Sequence, residues 1–216
     1  MPEKKQIFFT MVSFNDILNS VNNLMLLYFA IVFYKGCKEM GFVNIRYATV
    51  DDAQYLLDIY SYYVKNTAIS FEYNVPSLDE FRIRIENTLK KYPYLVLEEN
   101  GIIKGYAYAG PFKTREAYKY SVENTIYLKR GENKKGYGRL LLEALENELF
   151  KTGFENANAC IAYTEKEDEY LNNNSMQFHE HMGYRLVGTF HKCAYKFNRW
   201  YDMIWMEKLI GTHGDK

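Results

Sequence analysis

The stretch that decides the fold is Val122-Glu123-Asn124-Thr125-Ile126-Tyr127-Leu128, followed by Lys129-Arg130-Gly131-Glu132-Asn133-Lys134-Lys135-Gly136-Tyr137-Gly138-Arg139-Leu140. Val122–Lys129 reads as a strand, and Gly136–Lys151 as a strong amphipathic helix. The helix carries Leu140, Leu141, Ala144, Leu145, Leu149 and Phe150 on its apolar side and ends at Thr152-Gly153. A strand that turns on glycines into a helix can cradle an anion. Gly136 and Gly138 admit backbone amides close to a ligand, and the helix start adds partial positive charge. Lys134, Lys135 and Arg139 add full charges, so the segment suits a diphosphate. A bland helix start explains a lone glycine pair equally well. Gly131 and Gly136 have P-loop spacing, but Tyr137-Gly138 stands where Lys-Ser/Thr is required. Leu141 occupies the place of the third glycine in a dinucleotide fingerprint. Glu123, early in the strand, is a solvated-face carboxylate by default. Beside a cofactor cradle, a half-buried carboxylate can act as a general base.

Outward from this unit, strands and helices alternate. Phe42–Thr49 reads as a strand, and Ala53–Lys65 as a helix capped by Thr49 or Asp51. Ser77-Leu78-Asp79-Glu80 is a capping-box start for a second helix. Tyr94–Glu98 and Ile102–Ala109 form a hairpin around Asn100-Gly101. Downstream come a strand at Ala157–Tyr163, a helix at Ser175–Met182 closed by Gly183, and strands at Tyr184–Thr189, His191–Phe197 and Trp200–Lys208. The order implies an α/β fold: one domain over residues 40–210, with a central twisted mixed sheet, helices on both faces and a tail at 211–216.

Residues 1–39 differ from the rest. The apolar run Leu24–Tyr34 is short of the about 20 residues that span a bilayer. Lys4 and Lys5 make a weak basic start, and no small-x-small cleavage site follows. Met40 immediately precedes the regular pattern, behind codons compatible with a ribosome-binding stretch. The expectation is a mis-called start; the alternative is an N-terminal helix packed on the domain.

The chain has 216 residues, and 27 lysines and arginines balance 27 aspartates and glutamates. No basic run supports nucleic-acid binding, and no membrane partner is expected. Aromatic residues at 17% exclude a chain disordered throughout. Cys37, Cys160 and Cys193 form no CxxC pair, which fits a reducing, cytoplasmic setting. His179-Glu180-His181 is not a metal motif, because imidazoles two residues apart on a helix point about 160° from each other. No metal is expected. The acidic run Glu165–Glu169 reads as a solvated loop.

The strand–turn–helix with Glu123 ahead of Asn133-x-x-Gly136-x-Gly138 resembles motif A of the GNAT superfamily of N-acetyltransferases. Two further strings are similar to its phosphinothricin/methionine-sulfoximine acetyltransferases: Ala109-Gly110-Pro111-Phe112-Lys113-x-Arg115-x-Ala117-Tyr118 and Asn172-x-x-Ser175-x-x-Phe178-His179-Glu180-x-x-Gly183-Tyr184. The resemblance runs from Ile45 to about Met206. It implies acetyl-CoA as donor, a primary amine of a small amino-acid-like acceptor, direct attack on the thioester, and a possible homodimer. It assigns Ile126, Tyr127 and Leu128 to the pantetheine arm. Asn133, Lys134, Lys135, Gly136, Tyr137, Gly138 and Arg139 fall to the diphosphate, and Asn172 to the region near the thioester. Glu123 becomes the base, acting through a water, and His179 a further catalytic residue. Arg115, with Phe71 and Phe112, becomes the acceptor clamp. Asn133 departs from the family's usual Gln or Arg, and Thr164–Leu171 looks inserted near the acceptor entrance. A non-catalytic acyl-CoA-binding module, or an enzyme for a protein N-terminus or polyamine, are the alternatives.

Overall fold

The computed structural model describes residues 42–214, so the expectations for residues 1–39 lie outside the described residues. In chain order the elements are β1 (Val43–Tyr47), α1 (Ala53–Asn66), α2 (Leu78–Leu89), β2 (Tyr94–Glu99), β3 (Ile102–Pro111), β4 (Ser121–Leu128), α3 (Tyr137–Lys151), β5 (Asn156–Tyr163), α4 (Asn174–His181), β6 (Arg185–Lys196) and β7 (Arg199–Leu209). Local chemistry sets their ends. Ser77 Oγ accepts the Glu80 amide at 3.2 Å and starts α2. Asn100 and Gly101, at φ of 53° and 77°, make the tight β2–β3 hairpin.

The seven strands form one sheet in the order β1-β2-β3-β4-β5-β7-β6. Its neighbours are antiparallel except β4 and β5, which run parallel. That parallel pair is short. It joins Ser121 to Asn156, Val122 to Ala157 and Glu123 to Asn158, and then stops. On its other side β4 is paired with β3 along its length, from Val122 with Pro111 to Leu128 with Gly105. Close approach there requires a glycine: a Cβ on Gly105 would lie 2.8 Å from the Tyr127 carbonyl oxygen. The sheet is therefore split from its middle outward, and Asn124–Leu128 have a free edge facing β5.

Each face of the sheet has its own core. On one, Leu95, Leu97, Ala107, Val122, Ala157, Ala159 and Ile204 pack beneath α3. On the other, α1 and α2 cover Tyr94, Val96, Tyr106, Tyr108 and Tyr127. Two expectations change. The buried stripe of α3 is Leu141, Leu142, Leu145 and Leu149, whereas Leu140 and Phe150 are exposed. The stripe is rotated because Tyr137 and Gly138 enter the core at the helix start and set its orientation. And β6 is one long strand with a bulge between Phe190 and Ala194, where two shorter strands were expected.

Candidate active site

The split between β4 and β5 lies at the carboxyl end of β4, beside the start of α3. Gly136 is the N-cap of α3, at φ 80°, and has no side chain to satisfy the first-turn amides. Those N–H groups lack intrahelical acceptors, so the helix start offers donors to an anion. The glycines divide the work. Gly136 supplies the left-handed turn. Gly138 supplies closeness: a Cβ there would come within 3.2 Å of the Phe178 ring, so its bare backbone lets α4 pack on the first turn of α3. The sequence suggested ligand approach for both.

The cradle's charges are partly spoken for. Lys135 pairs with Glu132 at 2.8 Å and Arg139 with Glu143 at 2.7 Å. Both are exposed pairs of the kind worth under about 1 kcal/mol, so an incoming phosphate can compete for either cation. Lys134, at φ 66°, has no ion pair among the described residues. Asn133 lies within the turn. Tyr137 instead points inward, its hydroxyl donating to Glu99 at 2.5 Å, so it anchors the helix start.

Along the free edge of β4, the Ile126 and Leu128 side chains pack toward the α3 core, and Tyr127 stands among Tyr60, Tyr63 and Tyr106 on the other face. The Leu128 carbonyl accepts the Tyr63 hydroxyl at 2.6 Å, so that one acceptor is already engaged. At the inner end of the split sits Asn124, which is 4% exposed, and neither of its amide atoms has a hydrogen-bond partner.

Glu123 is the last residue of β4 paired to β5, so it stands at the vertex. It shares a face with Thr125, whose side chain hydrogen-bonds Tyr108 in the α1/α2 core. Burial holds its carboxyl above the ordinary glutamate value, opposed by the Lys113 ammonium. Lys113 is fixed by aromatic faces, with Nζ 4.7 Å from the centre of Phe112 and 4.8 Å from that of Trp205. Phe112 meets Trp205 edge-on at 5.4 Å. Cys160 on β5 is the cross-strand partner of Trp205 on β7. It is reachable from the cleft, yet the surrounding protein, with the Glu123 charge adding, pushes its thiol up to about 12. Glu123, Lys113, Phe112, Trp205 and Cys160 thus form the floor of the site. Lys113, Trp205 and Cys160 had no assigned role in the sequence reading. The Lys113-x-Arg115 string was a signal for the first, and nothing local marked the other two.

The remaining expected residues scatter. Arg115 is exposed, and no ion pair holds it among the described residues. Phe71 packs against a cluster of Ala68, Ala162, Leu171 and Tyr201. Asn172 is exposed, and its Oδ1 accepts the Asn174 amide at 3.2 Å at the start of α4. His179 does not meet Glu123. It is 5% exposed and belongs with α4 and Tyr184, on the α3 face. Its Nδ1 donates to the Ser175 carbonyl at 2.8 Å, and burial keeps the ring below its ordinary pKa and therefore neutral. Nε2 has no partner.

The acidic run is the exposed loop expected, anchored at Asp168. Asp168 Oδ1 accepts the amides of Tyr170 and Leu171 at 2.8 Å each, while Arg199 pairs with Asp168 at 2.9 Å and with Glu169 at 2.8 Å. Tyr170 stacks on Phe197 at 4.1 Å. Nearby, the buried Lys196 ammonium donates to the carbonyls of Val64, Thr67 and Ser70 at 2.8, 2.9 and 2.6 Å. It ties the β6–β7 hairpin to the end of α1. Among the described residues, no group of three or more His, Cys, Asp or Glu is placed to hold a metal. Nor is any helix long and apolar enough to cross a membrane.

A split parallel pair, an uncapped helix start and a half-buried carboxylate at the vertex thus lie together on one side of the sheet's opening. Residues 45–205 match the family model described as an acetyltransferase (GNAT) domain, and the chain belongs to that family. It is similar to a phosphinothricin N-acetyltransferase of Streptomyces viridochromogenes, 32% identical over 74% of this chain and 84% of the relative. It is also similar to an L-methionine sulfoximine/L-methionine sulfone acetyltransferase of Salmonella typhimurium, 29% identical over 79% of this chain and 96% of that one. Among solved structures, a GNAT superfamily phosphinothricin acetyltransferase from Sinorhizobium meliloti, in complex with acetyl-CoA, superposes with a TM-score of 0.71. That structure is 31% identical and covers 78% of this chain and 89% of its own. The protein is an acetyl-CoA-dependent N-acetyltransferase, and the uncapped start of α3 together with the free β4 edge fits that co-substrate.

Proposed function

We propose that the acceptor is the primary amine of a small amino-acid-like molecule of the phosphinothricin or methionine sulfoximine type. Glu123 is the observation that carries this reading. Acetyl-CoA supplies an activated acyl thioester; the protein must supply a neutral amine beside it. Alkyl amines are mostly protonated at neutral pH and cannot attack until a proton leaves. Glu123, a carboxylate whose affinity for protons is raised by burial, takes that proton directly or through a water. Lys113 and Arg115 offer the positive charge that an acceptor carboxylate or phosphinate needs. The relatives' names support that acceptor class. His179, neutral and on the other face, keeps α4 in place in this reading and does not relay protons.

We further propose a cytoplasmic enzyme that pairs with a second copy through the edge strand β6, where Leu186, Val187 and Phe190 are at least half exposed. Sedimentation velocity at micromolar concentration tests this, and a monomer would contradict it.

CoA release over a panel of amines tests the main reading. Turnover confined to amino acids and their phosphinate or sulfoximine analogues is expected, with Glu123→Gln slower on all of them by about 10²- to 10⁴-fold. Preference for a polyamine or a peptide N-terminus would contradict the acceptor class. CoA binding without turnover of any amine would contradict the reading as a whole.

A further inference from the structure

A cavity of about 590 Å³ lies between α1 and the β2–β3 hairpin and reaches the residues that follow β4. It is remote from the β4–β5 vertex: Lys129, in its lining, is about 20 Å of extended strand from Glu123. Its charges are sorted. At one end Arg46 uses all of its N–H groups. Nε and Nη2 donate to Glu98 Oε1 at 3.0 and 2.5 Å, and Nη1 and Nη2 to the two Asp52 oxygens at 2.8 Å each. Nη1 also donates to the Tyr47 carbonyl at 3.0 Å. One guanidinium thus meets two carboxylates, and a negative charge is left over. Glu98 Oε2 accepts no hydrogen bond among the described residues. Asp58 adds a second carboxylate from α1; it accepts the Gln54 amide at 2.8 Å and has no ion pair among the described residues. At the other end stand Lys129 and Arg130, likewise without an ion pair among the described residues. The Arg130 guanidinium is held over the Tyr62 ring at 5.0 Å.

The sheet sets the spacing of the two ends. Glu98 on β2 pairs with Ile103 on β3, and on the far side of β3 the Lys129 amide donates to the Lys104 carbonyl at 2.7 Å. The acidic and basic ends are therefore two strand spacings apart, about 10 Å. Between them the lining is apolar, from Ile59 and Tyr62 of α1 and Ile102 and Ile103 of β3. Among the described residues no group of three or more His, Cys, Asp or Glu is placed for a metal, so the acidic end suits an organic cation. Opposite charges that far apart over an apolar floor select a long zwitterion. A single α-amino acid holds its ammonium and carboxylate too close together. An extended chain advances about 3.3–3.6 Å per residue, so two or three residues bring its termini to the two ends. We propose that this cavity binds a short peptide of two or three residues with apolar side chains. Its free ammonium lies at Glu98 and Asp58, and its free carboxylate at Lys129 and Arg130.

Backbone amide NMR of the full chain tests it, with CoA present at saturation so that the donor cleft is occupied. The probe is leucyl-alanyl-phenylalanine, compared with its N-acetylated and its C-amidated forms. The free tripeptide should shift the amides of Gly101, Ile103 and Arg130 and leave that of Glu123 in place. Acetylation removes the ammonium and should weaken binding about tenfold, as for one lost charged hydrogen bond. Amidation should weaken it about three- to fivefold, because the cations it would leave are exposed. Glu98→Gln should weaken the free tripeptide about tenfold and leave the acetylated one within about twofold, a distinction that a merely loosened fold would not make. Ile102→Trp, which fills the cavity from an exposed position, is the second variant should Glu98→Gln not fold; it should abolish the shifts from all three peptides. Equal affinities for the free and the capped peptides would overturn the proposal. So would shifts confined to the surroundings of Glu123, or none at all.

Discussion

The two halves of the proposed site are built on different plans. The donor half is one continuous stretch of chain, from the free edge of β4 through the turn to the start of α3, and it works largely through backbone N–H groups. The acceptor half is assembled from side chains of separated segments: Glu123 from β4, Phe112 and Lys113 after β3, Cys160 from β5 and Trp205 from β7. A backbone site needs glycines at particular turns and tolerates most other letters. A side-chain site can change its chemistry one residue at a time while the sheet stays put. On the proposed reading, cofactor recognition follows the fold and acceptor choice does not.

The contrast can be broken most severely at the vertex. Glu123→Gln removes the base and keeps its shape. Turnover should fall about 10²- to 10⁴-fold, the range for a general base, with CoA affinity unchanged by calorimetry. A comparable loss of CoA affinity would mean that the halves are not separable there. The next largest effect is on the tie between the β6–β7 hairpin and the end of α1. Lys196→Ala leaves the carbonyls of Val64, Thr67 and Ser70 without their buried donor. A loss of about 3 kcal/mol, or roughly 6–12 °C in melting temperature, is expected. A change under 2 °C, roughly half a kcal/mol, would show that the carbonyls find water instead.

Arg115→Ala should sharpen the contrast from the acceptor side. The KM for an amino-acid acceptor should rise about tenfold, as for one lost charged contact, and the KM for acetyl-CoA should not move. Gly136→Ala does the converse with the smallest effect. An alanine at φ 80° costs about 1–2 kcal/mol, so CoA binding should weaken while acceptor KM stays constant. Steady-state kinetics with each substrate varied in turn checks both.

The same division explains what could be read from the sequence. The strand, the glycine turn and the amphipathic helix are local, so residues 122–151 announce themselves. Glu123 stood out as a candidate because it lies inside that unit. The role of Gly138 was not, because it depends on Phe178, forty residues away. Nor was the α3 stripe, since Leu140 and Leu142 differ only in how the helix is rolled onto the sheet. His179 and Glu123 look alike as candidates in the linear string, and only the sheet between them shows that they belong to opposite faces. Trp205 and Cys160 become part of the floor through the β5–β7 register, a pairing that no local pattern encodes. The acidic run is the exposed loop its charges suggested, but its anchor was not legible, because Arg199, the partner of Asp168 and Glu169, lies thirty residues on.

The central claim is that a half-buried Glu123 at the β4–β5 vertex accepts the acceptor's proton. Burial raises its pKa above 4.5, and only the ionised form can take a proton. The activity it supports is therefore present above that raised pKa and lost as pH falls through it. The most direct test is kcat/KM against pH for wild type and Glu123→Gln, each with two acceptor amines of different pKa. Wild type should show an acid limb above pH 4.5 that is the same for both amines, and Glu123→Gln should lack it while keeping the limb that tracks the amine. An acid limb that persists unchanged in Glu123→Gln would contradict the account.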